Sequence, residues 1–349
     1  MTDILTNPFR GAGLPDLTHS PRNDASAVSR LLELCPAHRP TPLTDASELA
    51  ADLGVAELWI KDERGRMGLG SFKALGAAFA IARDAAKVMQ GQDWATALSG
   101  RTYVTASAGN HGLSVAAGAG VFGARAIIYL SEAVPEAFAD RLRTKGAEVI
   151  RDGATYEDSM AAAEKGAKAA GFTLLSDSSW PDYTEMPMAV MEGYLQMAAE
   201  VADQIEKPPT HIFLQAGVGG LAGAVAAFAR ATWGDMPQII VVEPEVAPAL
   251  IESIRAGRVV DTNGPVSAMG RLDCKTPSMI ALGGLARDAD TFVTISETEA
   301  EVAADLLARH CFDTTPSGCA GFAALLAGRP NPGEGARVLV ILSEGPEDA

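Results

Sequence analysis

Cysteine is scarce: the chain of 349 residues has four (Cys35, Cys274, Cys311 and Cys319) and no CxxC pair. A disulfide framework is not expected in a chain this long. The one conceivable thiolate metal cluster, Cys311 and Cys319 with His310, has poor ligand spacing, so no metal site is expected and the four are read as buried thiols. Positive charge is short as well: 28 Lys and Arg against 44 Asp and Glu leave a formal net charge of −16. That balance disfavours nucleic acid and anionic membrane surfaces as partners. Long apolar runs are missing too. The longest, such as AGVGGLAGAVAAFA (216–229), is broken by glycine and falls short of a membrane span. The opening MTDILTNPFRGAGLP lacks a basic stretch followed by an apolar one. No signal peptide is therefore expected, and a soluble cytoplasmic protein is.

What the chain does have is apolar bulk, 48% of its residues, and 35 glycines. Short apolar runs ending in glycine alternate with alanine-rich helical stretches, the pattern of βα units around a parallel sheet. Strands are predicted at 56–63, 102–107, 124–130, 147–153, 210–217, 237–244, 290–296 and 336–343. Helices are predicted at 71–89, 111–122, 155–170, 189–205, 219–232, 297–310 and 317–327. The first 50 residues, rich in proline and polar side chains, are expected to wrap the surface. The polar and aromatic segment LLSDSSWPDYTEMPMAVMEGY (174–194) interrupts the alternation and reads as a crossing between lobes. A discontinuous layout follows, with a small mobile domain at 90–185 and a large one from 1–89 and 186–349. The cleft between them is the expected place for a small-molecule site.

Four motifs carry chemistry. GLGSFKALGAAFA (68–80) places one lysine, Lys73, in the first turn of an otherwise apolar helix. A surface lysine needs no explanation, whereas one facing a cleft becomes a nucleophile. TASAGNHGLSVA (105–116) ends a strand and opens a helix, where Ser107, Gly109, Asn110 and Gly112 would expose backbone N–H groups to an anion. An ordinary capped helix start explains it equally well. QAGVGGLAGA (215–224) offers Gly217, Val218, Gly219 and Gly220 as a phosphate loop. Its glycine spacing overlaps a dinucleotide fingerprint, with Glu243 somewhat late for a ribose contact. VLVILSEG (338–345) ends a strand on Ser343, a turn former or a partner for a ring nitrogen. One ligand uses all four: pyridoxal 5′-phosphate has an aldehyde for Lys73, a phosphate for the glycine loop, a phenolate for Asn110 and a pyridine nitrogen for Ser343. A nicotinamide cofactor has no use for the lysine or the serine.

KDE…SFKALGA, SAGNHG, AGVGG and LSEG, in this order, resemble the fold type II pyridoxal-phosphate enzymes, the tryptophan synthase β-like family, from about residue 40 to 345. The resemblance implies a two-lobed α/β protein, with parallel-rich sheets flanked by helices and the active site between the lobes. It implies that Lys73 binds the cofactor covalently, that Gly217, Val218, Gly219 and Gly220 hold its phosphate, that Asn110 meets the 3-hydroxyl and that Ser343 meets the ring nitrogen. Within the family, GLGSFKALGA, SDSSWPDYTEMPMAVMEGY and MGRLDCKTPS (269–278) resemble the diaminopropionate ammonia-lyases. On that match Asp177 faces the substrate's distal amino group, and the Ser107–His111 amides take the α-carboxylate. The expected reaction is α,β-elimination from a small amino acid to a 2-oxo acid and ammonia, in a homodimer. Ala108 departs from the pattern: it stands where those enzymes place an aspartate that serves the D-isomer, as in serine and threonine dehydratases. A dehydratase and a β-replacement enzyme are therefore the competing activities, and a non-catalytic binding protein on the same fold is the competing class.

Overall fold

A computed structural model describes residues 3–89, 91 and 93–346; residues 1, 90 and 347–349, where parts of the expected domains begin and end, lie outside the described residues. The strands are β1 (Ile4–Thr6), β2 (Leu43–Asp45), β3 (Glu57–Asp62), β4 (Thr102–Ala106), β5 (Arg125–Leu130), β6 (Glu148–Arg151), β7 (Thr173–Leu174), β8 (His211–Gln215), β9 (Gln238–Pro244), β10 (Thr291–Ile295) and β11 (Arg337–Leu342). They form a seven-stranded sheet in the order β1-β10-β9-β8-β11-β3-β2 and a four-stranded sheet in the order β6-β5-β4-β7. Pairing is parallel throughout except at the two edges of the large sheet, β1 on β10 and β2 on β3. The fold is the expected parallel-rich α/β arrangement.

Central strands covered by helices on both faces need apolar residues at every position, not alternate ones. Accordingly Val338–Leu342 is buried without interruption, and so is Thr102–Ala106. One core cluster runs through both sheets' helices, from Leu75 and Ile212 to Leu113 and Ile128.

Two features position the loop that leads to Lys73. The first is a buried charge network. Lys61 Nζ donates to Glu200 (2.7 Å) and to the Thr41 carbonyl (2.8 Å), while Arg66 donates to Glu63 (2.7 Å) and twice to Glu200 (2.7 and 2.8 Å). Two cations balance two carboxylates, all almost wholly buried. Removing one member of such a set costs about 3–5 kcal/mol, because it strands the opposite charge. Met67 (φ 51°), Gly68 (φ 67°) and Gly70 (φ 79°) then turn the chain through left-handed conformations into the helix Lys73–Val88. The second is a helix crossing. Gly76 on that helix meets Gly193 on the helix Glu185–Gln204 so closely that a Cβ at Gly193 would stand 2.5 Å from the Leu75 carbonyl oxygen.

Three expectations are corrected. The N-terminal stretch does not merely wrap the surface: Ile4–Thr6 extends the large sheet, and the helices Ser26–Leu32 and Ser47–Leu53 bury Val28, Leu32 and Leu49. The helices Glu136–Thr144, Ala249–Ala256 and Met279–Asp288 were absent from the sequence pattern. The first of them carries four charged residues in nine and buries only Ala139 and Leu142. The cysteines are free thiols, but only Cys319 is buried; Cys311 is exposed just past a helix end at φ 64°.

The crossing gives a stability expectation. Gly193→Ala forces backbone apart and is expected to cost about 1–3 kcal/mol. Gly120→Ala, at an open helical position, is expected to be neutral or to stabilise by up to about 1 kcal/mol. Urea unfolding of the two variants checks the contrast.

Candidate active site

The motif residues sit where strands end. Ser107–Gly109 follows β4, Asp177 follows β7, Gly217–Gly219 follows β8, and Ser343 follows β11. Two of these loops leave parallel strands of the four-stranded sheet and two leave parallel strands of the seven-stranded sheet.

After β4, the Ser107 hydroxyl accepts from the N–H groups of Gly109 (3.3 Å) and Gly112 (3.1 Å), folding the loop back on itself. Gly112 has no room for a side chain, since a Cβ would stand 2.8 Å from the Ser107 carbonyl. Asn110 opens the helix Asn110–Val121 and donates its amide to Glu344 (2.5 Å). His111 is buried and donates from Nε2 to the Leu175 carbonyl (2.8 Å). Burial pushes its pKa down, so it is a neutral structural imidazole joining this loop to the segment carrying Asp177. The Ala108 carbonyl accepts from Arg271 (3.1 Å), whose guanidinium lies over Gly109.

After β8, Gly219 turns the chain at φ 96° and the helix Gly220–Trp233 begins. A Cβ at Gly217 would stand 2.9 Å from Cys274 Sγ and 3.1 Å from Leu272 Cα. The loop is thus bare backbone under the 271–274 segment, with the first-turn N–H groups of the helix left without intrahelical partners. The competing dinucleotide reading loses its acidic residue: Glu243 is fully buried and accepts from the N–H groups of Leu250 (2.7 Å) and Ile251 (2.8 Å).

Ser343 is locked beside the lysine helix. Its N–H donates to the Gly318 carbonyl (3.0 Å), and its carbonyl accepts from the Phe72 N–H (3.1 Å). Next to it, Glu344 accepts from Asn110 and from Thr315 (2.5 Å) and lies 3.9 Å from Arg271. Lys73 pairs with Asp177, the two side chains being 22% and 17% exposed. That settles the alternative of a hydrated surface lysine. Burial opposes both charges, but their mutual attraction outweighs it. Lys73 is held above the usual amine range and Asp177 below the usual carboxylate range.

The structure links Lys73 to Asp177, the Lys73 helix to Ser343 through Phe72, and His111 to the segment that carries Asp177. The sequence reading missed Glu344, Arg271 and Tyr194. Glu344 and Arg271 lay inside quoted motifs, LSEG and MGRLDCKTPS, but a side chain that braces a loop has no signature of its own. The residues present fit pyridoxal phosphate: a cleft lysine, a side-chain-free cradle at a helix start, and an amide and a hydroxyl on either side.

Fold and site together define a fold type II pyridoxal-phosphate enzyme. The chain belongs to the pyridoxal-phosphate dependent enzyme family, whose model matches residues 34–344. It is 30% identical to the diaminopropionate ammonia-lyase of Escherichia coli (strain K12), over 99% of this chain and 94% of that one. It superposes on the E. coli diaminopropionate ammonia lyase structure in complex with an aminoacrylate-PLP azomethine reaction intermediate with a TM-score of 0.88, at 29% identity and covering 99% and 94% of the two chains. The processed form of threonine deaminase isoform 2 from Solanum lycopersicum matches at a TM-score of 0.81 and 21% identity, over 99% and 94%, and shares the fold. The protein is a pyridoxal-phosphate-dependent lyase of the ammonia-lyase type.

A pH expectation follows from the pair. An amine must be neutral to attack an aldehyde, so if Lys73 is the anchoring lysine its pairing with Asp177, which keeps it protonated, opposes cofactor capture. Asp177→Asn leaves burial as the dominant influence, which lowers an amine's pKa. The pH midpoint for cofactor capture is therefore expected to move down. Stopped-flow absorbance of apoprotein mixed with pyridoxal phosphate measures it; an unmoved midpoint contradicts the assignment.

Proposed function

We propose that the enzyme eliminates the β-amino group of a small L-amino acid of the 2,3-diaminopropionate type, giving a 2-oxo acid and ammonia. The observation that supports this substrate class best is the Asp177 carboxylate facing Lys73 in the cleft. A hydroxyl leaving group calls for no counter-charge there, whereas a substrate ammonium does. Ala108 offers no carboxylate on the opposite loop, which favours the L-isomer.

When bound, the cofactor supplies an electron sink for the negative charge at the substrate's α-carbon. Lys73 is its covalent anchor, the backbone of Gly217, Val218, Gly219 and Gly220 holds its phosphate, and Asn110 and Ser343 flank its ring. The N–H groups of the Ser107–His111 loop bind the substrate carboxylate. Lys73 Nζ would act as the base that takes the α-proton. Asp177 would bind the distal ammonium and keep it protonated, so that it can leave as neutral ammonia. The carbon–nitrogen bond breaks with its electron pair leaving on nitrogen, so ammonia departs. The enamine product hydrolyses to the 2-oxo acid and a second ammonia. Ser343 would present a neutral hydroxyl, not a charged group, to the ring nitrogen.

No helix among the described residues is long and apolar enough to cross a membrane. A cytoplasmic homodimer is the setting this reading implies. We assign the small mobile domain to 90–185, around the four-stranded sheet, and the large domain to 1–89 and 186–349.

Release of 2-oxo acid from L- and D-2,3-diaminopropionate, L-serine and L-threonine tests the reading. Pyruvate from L-diaminopropionate, and none from L-serine, is expected. Turnover of L-serine or L-threonine alone would mean a dehydratase, with Asp177 incidental. Lys73→Ala is expected to lower turnover by at least about 10³-fold.

A further inference from the structure

Tyr194 lies in the MEGY run of the helix Glu185–Gln204 and is 1% exposed. The crossing of Gly76 and Gly193 brings it under the start of the helix Lys73–Val88. A Cβ at Gly76 would stand 2.6 Å from Tyr194 Cε1, so only glycine leaves room for the ring. The ring tilts against Phe72, with centroids 4.8 Å apart. Its other edge, Cε2, lies 3.5 Å from where a Cβ of Gly220 would stand. The phenol is thereby wedged between the lysine and the first residue of the phosphate-loop helix.

Its hydroxyl is buried beside the Lys73 ammonium, a donor, and its own hydrogen meets no acceptor among the described residues. Buried polar groups are rarely left so, and an orphan beside a ligand site points to a ligand atom. The neighbouring groups show which kind. The Lys73 ammonium and the first-turn N–H groups at Gly220 are donors, and the nearby carboxylate of Asp177 is already engaged by Lys73. Donors converge here and an acceptor is missing. Burial raises the phenol's pKa, so the hydroxyl stays protonated and can donate.

We propose that Tyr194 is a cofactor-binding residue whose hydroxyl donates a hydrogen bond to the phosphate of pyridoxal phosphate, alongside the backbone of Gly217–Gly220. The proposal rests on the cofactor reading given above. Tyr194→Phe removes the hydroxyl and keeps the ring that fills the space at Gly76, so the variant is expected to melt no lower than the wild-type apoprotein.

The test is the dissociation constant for pyridoxal phosphate and for pyridoxal, which lacks the phosphate, read by absorbance on wild type and Tyr194→Phe, with the 31P resonance of the bound cofactor alongside. The expected result is an affinity for pyridoxal phosphate lower by about 10-fold or more, an unchanged affinity for pyridoxal, and a displaced 31P resonance. Equal loss for both ligands would overturn the proposal, because the hydroxyl would then serve Lys73 or the aldehyde end. Unchanged affinity for both, or an unmoved 31P resonance, would overturn it as well. Wild type that binds neither ligand would overturn the cofactor reading itself, a result distinguishable from the others.

Discussion

The site depends on the pairing of the Lys73 ammonium with the Asp177 carboxylate. Each charge alone would be expensive in this cleft, and burial would drive each toward its neutral form. Together they hold one another ionised. The lysine stands at the start of a helix, set by a loop that follows β3; the aspartate follows β7 on the other sheet. An ion pair thus joins a loop of one sheet to a loop of the other. The same carboxylate that keeps the amine charged before the cofactor binds is the group suited to a second ammonium on the substrate.

Precision at this pair comes from elements that never touch a ligand. The balanced network of Lys61, Glu63, Arg66 and Glu200 fixes the chain just before its left-handed turns at Met67 and Gly68. The Gly76–Gly193 crossing fixes the helix just after Lys73. Glu344 performs a similar service for Asn110: one carboxylate takes the asparagine amide and the Thr315 hydroxyl, so a loop after β4 is braced by a residue after β11. Groups that bind and groups that brace therefore alternate along the same short motifs.

That alternation decides what the sequence could reveal. Strands such as Gln238–Pro244 and Arg337–Leu342 were legible because strands buried on both faces are written as unbroken apolar runs. Lys73, Asn110, the glycine loop and Ser343 were legible because one ligand explains their residue types together. The short strands Ile4–Thr6, Leu43–Asp45 and Thr173–Leu174 were not, since two or three residues carry no periodicity and are held by their neighbours in the sheet. The helix Glu136–Thr144 hid behind its charges, which pair along its exposed face, as Arg143 does with Glu136 and Asp140. Tyr194 hid for a different reason: the glycines that make room for it lie more than a hundred residues apart, and only the helix crossing joins them.

The most direct measurement of the central claim is the point of covalent attachment. Holoenzyme reduced with borohydride, digested and read by mass spectrometry should carry the pyridoxyl phosphate label on the peptide containing Lys73, with none on Lys61 or Lys275. Label on a different lysine, or none on a protein that has bound the cofactor, would contradict the account.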